Sequence, residues 1–147
     1  NKKPFIVFEG VEGSGKSFHS KNLINYLKKK KIIISDRFTD STIAYQHYGF
    51  GINKNLIKMV HKNILNKIEV DFTFLMKIDI NESFKRLKKR SNLNRYDQFS
   101  KNYYKNVQNG FIKLSNLQPQ KYMIINSKNS ITINKKIIFQ KFLELIK

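Results

Sequence analysis

Four short apolar runs alternate along the chain with longer stretches whose apolar positions recur at helical spacing. Residues 5–8 (Phe-Ile-Val-Phe) form a continuous apolar run, the pattern of a strand buried on both faces. A glycine-rich segment follows, then an amphipathic stretch carrying Leu23, Ile24, Tyr26 and Leu27. Residues 32–34 predict a second buried strand that ends at Ser35-Asp36. A helical stretch runs from there through Tyr45, with Gly49 and Gly51 as breakers. Leu56, Met59, Val60, Ile64 and Ile68 predict another amphipathic helix, and 72–80 a third strand. A basic helix is predicted over 82–90 and a polar break over 91–94. Helical spacing resumes at Tyr103, Val107, Phe111 and Leu114 and stops before Pro119; a fourth strand over 122–125 and a helix over 131–146 close the chain. This alternation predicts an α/β fold, a parallel sheet with helices on both faces. At 147 residues the chain reads as one domain, 1–147.

One junction breaks the pattern. The first helix runs through Leu27 and Lys28–Lys31 straight into Ile32. A return from helix to parallel strand ordinarily takes about 2–6 loop residues, with Gly, Asn or Asp among them. The spacing therefore predicts that a segment is missing after residue 30.

Composition narrows the class. There is no cysteine, so disulfides and thiolate metal sites are excluded. No apolar run reaches the roughly 18 residues of a membrane span, and the apolar stretch at 5–8 is too short for a secretory signal. A soluble, cytoplasmic protein is the expectation. The formal charge of +19 points to phosphate-bearing partners. Lys, Ile and Asn are abundant together, however, as low-GC codon usage produces, and the lysines are scattered over several clusters; nucleic acid is not the expected partner.

Chemistry concentrates at Gly10-Val11-Glu12-Gly13-Ser14-Gly15-Lys16-Ser17, a G-x-x-x-x-G-K-S loop set between an apolar run and a helix. Glycines let successive backbone N–H groups turn inward around phosphate oxygens, and the following helix presents its positive end. In such a loop these eight residues bind ATP, with Lys16 reaching the β- and γ-phosphates and Ser17 ligating Mg²⁺. An acid at a neighbouring strand end completes the metal site. Asp36 is the first candidate and Asp79 its competitor.

The stretch Asp36-Arg37-Phe38-Thr39-Asp40-Ser41-Thr42-Ile43-Ala44-Tyr45-Gln46 resembles the D-R-[YFH]-x-x-S-x-x-A-Y-Q segment of thymidylate kinases. Phe8-Glu9 leading into the glycine loop is similar too, as are a basic lid with Arg86, Arg90 and Arg95 at about 86–97 and the aromatic helix from Tyr103-Tyr104 to Gly110-Phe111. The resemblance implies a P-loop NTPase three-layer fold and Mg-ATP-dependent phosphorylation of dTMP to dTDP. It implies that Arg37 holds the acceptor's phosphate beside Asp36, and that Glu12 faces its 3′-hydroxyl. By the same resemblance, Ser41, Thr42, Tyr45 and Gln46 are expected to line the nucleoside pocket, with Tyr45 crowding the place of a ribose 2′-hydroxyl. Lys16, Arg37 and the lid arginines Arg86, Arg90 and Arg95 carry the catalysis. A homodimer is a further implication. The family also has a strand and long helix between the P-loop helix and the Asp-Arg strand. These fall at the anomalous junction, and with them go a phosphate-binding loop, two thymine-reading residues and much of the dimer interface.

Other readings remain open on the residues alone. They are a kinase for another deoxynucleotide or a nucleoside, a P-loop ATPase stimulated by nucleic acid, and a nucleotide binder without catalysis. His19, His47 and His61 have no chemical partner in the sequence and read as surface or packing residues.

Overall fold

The structure, a computed structural model, describes residues 3–26, 32–65, 68–89 and 99–146. Strand β1 (Phe5–Glu9) lies inside a parallel four-stranded sheet of order β2-β1-β3-β4, with β2 (Ile33–Asp36), β3 (Phe72–Lys77) and β4 (Tyr122–Asn126). Its register sets Phe8 beside Asp36 on one side and Phe74 on the other. The period-two alternation of a strand splits β1. Ile6 and Phe8 join Phe72, Phe74, Met76 and Ile125 beneath helices α1 (Lys16–Tyr26) and α6 (Ile131–Leu145), which contribute Leu23, Ile138 and Phe142.

The opposite face of the sheet carries Leu75. It packs with Val11, Ala44 and Tyr45 and with Tyr103, Tyr104, Val107 and Phe111 of α5 (Lys101–Leu117). Two apolar cores, one on each face, make the three-layer arrangement that the strand and helix alternation predicts.

The segment after β2 departs from a plain helix. One α-turn, α2 (Thr39–Thr42), passes into a π-helical segment, Ile43–Gly49. The Phe50 N–H reaches the Tyr45 carbonyl at 3.1 Å, a bond five residues back. Two glycines let this segment approach α5. A Cβ on Gly49 would stand 2.5 Å from the Tyr103 ring, and one on Gly110 would stand 2.5 Å from the Tyr48 ring. These interlocked pairs hold the wide turn against α5.

Helix α3 (Lys54–Leu65) forms where the spacing predicts an amphipathic helix. The stripe Leu56, Met59, Val60 and Ile64 is exposed, and Ile57 is the residue that is buried. Periodicity defines an apolar face, but not whether a neighbour covers it. Ile68 lies beyond the helix. The third strand stops at Lys77, short of residue 80, because Asp79 caps α4 (Ile80–Lys88), its carboxylate accepting from the Asn81 and Glu82 N–H groups at 3.0 and 3.2 Å. Such a cap contributes about 1 kcal/mol. The suspect junction, 27–31, lies outside the described residues, as does 90–98, most of the expected lid.

Candidate active site

The glycine loop leaves the end of β1 and closes on the first turn of α1. Gly10, Gly13 and Gly15 have φ of 139°, 73° and 95°, a region costly for any residue with a Cβ. At Gly10 a Cβ would also stand 2.4 Å from the Met76 carbonyl oxygen. The carbonyls of the loop are tied away from its hollow. Gly10 accepts from Arg37 Nη1 at 3.1 Å, and Val11 from Lys16 Nζ at 3.1 Å. Glu12 accepts from Ser83 Oγ at 2.6 Å, Gly13 from Arg86 Nη1 at 3.4 Å, and Ser14 from Ser127 Oγ at 2.7 Å. The Ser14 N–H also donates to the Val11 carbonyl, at 3.3 Å; with these carbonyls occupied, the other N–H groups of the loop can turn to an anion. Ser14 Oγ is buried with no hydrogen-bond partner among the described residues. Lys16 is 5% exposed, and burial, with Arg37 nearby, lowers its pKa to about 8. A phosphate would reverse that effect.

Arg37 sits where the glycine loop meets the segment 38–46. Its φ of 74° is left-handed, unusual for a residue with a side chain. The backbone is pinned on both sides of the turn. The Arg37 N–H donates to the Phe8 carbonyl at 3.0 Å, Ser35 Oγ donates to the Arg37 carbonyl at 2.7 Å, and the Phe38 N–H donates to Glu9 Oε1 at 2.8 Å. The guanidinium then fans out. Besides Gly10, Nη1 donates to Ser41 Oγ at 3.0 Å, and Nη2 donates to Glu12 Oε1 and to the Tyr45 hydroxyl, the latter at 3.1 Å. Glu12, Arg37, Ser41, Thr42, Tyr45 and Gln46 line one cavity of about 170 Å³. The residues read together from the sequence are thus brought together in space. Burial raises the pKa of the Tyr45 phenol, which stays protonated at neutral pH.

Glu9 had no role in the sequence reading beyond its place in a motif. It is 1% exposed, and its carboxylate accepts three hydrogen bonds: Phe38 N–H and Ser41 N–H on Oε1, at 2.8 and 3.2 Å, and the Ser41 hydroxyl on Oε2 at 2.5 Å. Burial pushes its pKa up to about 7, even though these bonds pull the other way. Its partners lie 29 and 32 residues away, so no local pattern could have found it.

Ser17 Oγ donates to Asp36 Oδ2, which places a hydroxyl and a carboxylate side by side at the mouth of the loop. Asp79 is the cap of α4 instead. No cluster of three or more His, Cys, Asp or Glu occurs among the described residues. One carboxylate, one hydroxyl and substrate phosphates are the oxygen donors that Mg²⁺ accepts, so the pair fits that ion.

Arg86 lies on α4 against the outer wall of the loop. Its other bonds go to the Ser127 carbonyl at 3.1 Å and to Glu82 at 3.3 Å. With Gly13, Gly15, Phe18, Asn129 and Ile131 it lines a second cavity, of about 360 Å³, on the side of the loop away from Arg37. Nothing in the sequence pattern marks Ser127, Asn129 or Ile131 as site residues. Arg90 and Arg95 lie outside the described residues. Of the histidines, His19 is buried, which lowers its pKa, and His47 Nδ1 lies 2.8 Å from the Ile52 carbonyl.

Comparison with known proteins shows what the chain is similar to. Residues 24–138 match the family model described as thymidylate kinase. The thymidylate kinase of Wolbachia pipientis wMel is 38% identical over 195 aligned positions, covering 91% of this chain and 97% of that protein. Those positions outnumber the 147 residues here by 48, so the relative carries at least that many without a counterpart. The thymidylate kinase of Ehrlichia chaffeensis is 39% identical over 103 residues, 70% of this chain and 48% of its own length. A crystal structure of thymidylate kinase from Ehrlichia chaffeensis superposes with a TM-score of 0.72 over 97% of this chain and 99% of that one, at 22% identity.

Proposed function

The chain belongs to the thymidylate kinase family, and from that premise we propose how its residues divide the transfer of a phosphoryl group from ATP to dTMP. ATP lies along the glycine loop, its phosphates in the hollow lined by the N–H groups of 10–17, with Lys16 on the β- and γ-phosphates. Its nucleoside occupies the cavity bounded by Phe18, Arg86 and Ile131. The acceptor occupies the cavity lined by Glu12, Ser41, Thr42, Tyr45 and Gln46, with its phosphate on Arg37. The observation that carries this reading is the position of Arg37, whose guanidinium touches both the loop, at Gly10 and Glu12, and the cavity, at Ser41 and Tyr45.

An oxygen of the dTMP phosphate forms the new bond to the γ-phosphorus, and the bond to the β-phosphate oxygen breaks, giving dTDP and ADP. The attacking oxygen is already anionic near neutral pH, so no general base is needed. Positioning and charge do the work. Arg37 is planar and permanently charged, suited to a bidentate grip on phosphate. Ser17 and Asp36 would hold a Mg²⁺ ion, which supplies positive charge to the β- and γ-phosphates. Glu12 is assigned to the acceptor's 3′-hydroxyl, and Tyr45 to the sugar edge where a 2′-hydroxyl would sit. Arg86, Arg90 and Arg95 are assigned to the lid end of the site, about 86–97. Arginines in that role can contribute roughly 10³–10⁵ in rate.

No helix among the described residues is long and apolar enough to cross a membrane. A cytoplasmic homodimer belongs to the same proposal. The exposed stripe Leu56, Met59, Val60 and Ile64 is the kind of surface a second copy would cover, and sedimentation at micromolar concentration checks it.

The deciding assay measures ADP release with Mg-ATP and a panel of dTMP, dCMP, UMP and thymidine. Preference for dTMP is the expected result. Preference for dCMP or thymidine, or ATP hydrolysis stimulated by DNA or RNA, would overturn the assignment.

A further inference from the structure

We infer that Glu9 is a positioning residue for the acceptor phosphate, acting by fixing the direction of the Ser41 hydroxyl that holds Arg37. The inference rests on the reading that Arg37 grips the phosphate of dTMP. Ser41 has one hydroxyl proton, and that proton goes to Glu9 Oε2 at 2.5 Å. The lone pairs of Ser41 Oγ are therefore turned outward, and one of them accepts from Arg37 Nη1 at 3.0 Å. The other carboxylate oxygen of Glu9 holds the Phe38 and Ser41 N–H groups. Those groups begin the helical segment that carries Thr42, Tyr45 and Gln46 toward the cavity.

Two functions thus meet in one buried side chain, and they divide between its two oxygens. Oε1 is structural: it caps the segment and pins the residue that follows Arg37. Oε2 is directional, because an acceptor at that point forces Ser41 to present an acceptor to the guanidinium. A donor there would reverse Ser41 and turn its proton toward the positively charged Nη1.

Glu9→Gln separates the two. The amide oxygen can keep both backbone N–H bonds, while the amide nitrogen faces Ser41 as a donor. The assay is run at pH 8, above the pKa of about 7 that burial gives Glu9, so that the native carboxylate is largely ionised.

In Glu9→Gln we expect KM for dTMP to rise about tenfold. KM for ATP should stay near the native value, and the melting temperature should not fall below it. The second arm repeats the change on Ser41→Ala, where there is no hydroxyl to misdirect. There, Gln in place of Glu should alter KM for dTMP by less than about twofold. Glu9→Ala, which also removes the cap, should lower the melting temperature as well.

An unchanged KM for dTMP in Glu9→Gln would overturn the inference. So would an equal rise in KM for ATP, or the same tenfold penalty on the Ser41→Ala background. If the native protein turns over no dTMP at all, the functional assignment itself fails, and this outcome is read before any variant is compared.

Discussion

The Arg37 guanidinium and the Glu12 carboxylate face each other directly, Nη2 against Oε1, across the rim that joins the glycine loop to the cavity lined by Ser41, Thr42, Tyr45 and Gln46. Neither group is free in solution: their side chains are 27% and 14% exposed. The pair lies 25 residues apart in the chain, and the left-handed turn at Arg37 makes it possible. An arginine bound on one side to a carboxylate and on the other to Ser41 and Tyr45 is held at the rim of the cavity, and an anion that grips it takes the place of some of these partners.

Replacing Arg37 should therefore damage acceptor use first. In Arg37→Ala, KM for dTMP should rise by at least about tenfold, with a smaller change in ATP affinity. Arg37→Lys should recover little, since an ammonium cannot fork between Gly10, Ser41, Glu12 and Tyr45. Steady-state kinetics with each substrate varied separately checks this, and equal losses for ATP and dTMP would count against the assigned role.

Lys16→Ala should reduce kcat by roughly a thousandfold or more, because the proposed role sets its charge against phosphates whose negative charge shifts during transfer. The buried ammonium is also costly to keep, as its lowered pKa indicates. The variant should fold at least as stably as the native chain. Unchanged turnover would refute the phosphate role.

Tyr45 should set the preference for deoxynucleotides. Its ring is buried beneath Arg37 at 4.9 Å from Cζ, and its hydroxyl is fixed by Nη2 at 3.1 Å. Tyr45→Ala should lower the kcat/KM ratio of dTMP over UMP about tenfold. Tyr45→Phe keeps the ring and should retain most of that ratio. An unchanged ratio in the alanine variant would remove Tyr45 from the sugar site.

The raised pKa of Glu9 makes stability depend on pH. Its folded value of about 7 lies above the ordinary 4.5, so folding favours the protonated acid. That contribution is fully present below about pH 4.5 and is lost as pH rises through about 7. Relative to Glu9→Gln, which cannot titrate, the native protein should lose on the order of 3 kcal/mol between pH 4.5 and 8. Urea unfolding of both proteins at the two pH values measures the difference. A constant difference would mean that Glu9 titrates like an exposed acid.

The exposed stripe of α3 shows where sequence patterning stops. Leu56, Met59, Val60 and Ile64 have the spacing of a core face, and helix α3 forms, yet only Ile57 of it is buried, packed with Ile43 of the π-helical segment and Leu114 of α5. By contrast, Tyr103, Val107, Phe111 and Leu114 have the same kind of spacing, and all four are buried. The spacings are alike. What differs is whether another element lies opposite, and that is a property of the assembled fold.

The sequence alone determined what depends on residues close together in the chain. The order of strands and helices follows from runs and periods of a few residues. The glycine loop follows from eight consecutive positions, because local backbone sterics decide where a chain can turn its N–H groups inward. The Asp36-Arg37 motif and the cluster at Ser41, Thr42, Tyr45 and Gln46 span a few turns of one segment. Tertiary structure alone decided the contacts between distant segments. Parallel strands come together only through crossovers, so Glu9 meets Ser41, Ser83 meets the Glu12 carbonyl, and Arg86 meets Ser127 across 32, 71 and 41 residues. The π-helical turn belongs to this second kind, since it rests on Gly49 under Tyr103 and Gly110 under Tyr48. Hydrogen bonds and close approaches of this sort depend on ångström distances between elements, and a linear pattern of polar and apolar residues carries no such distances.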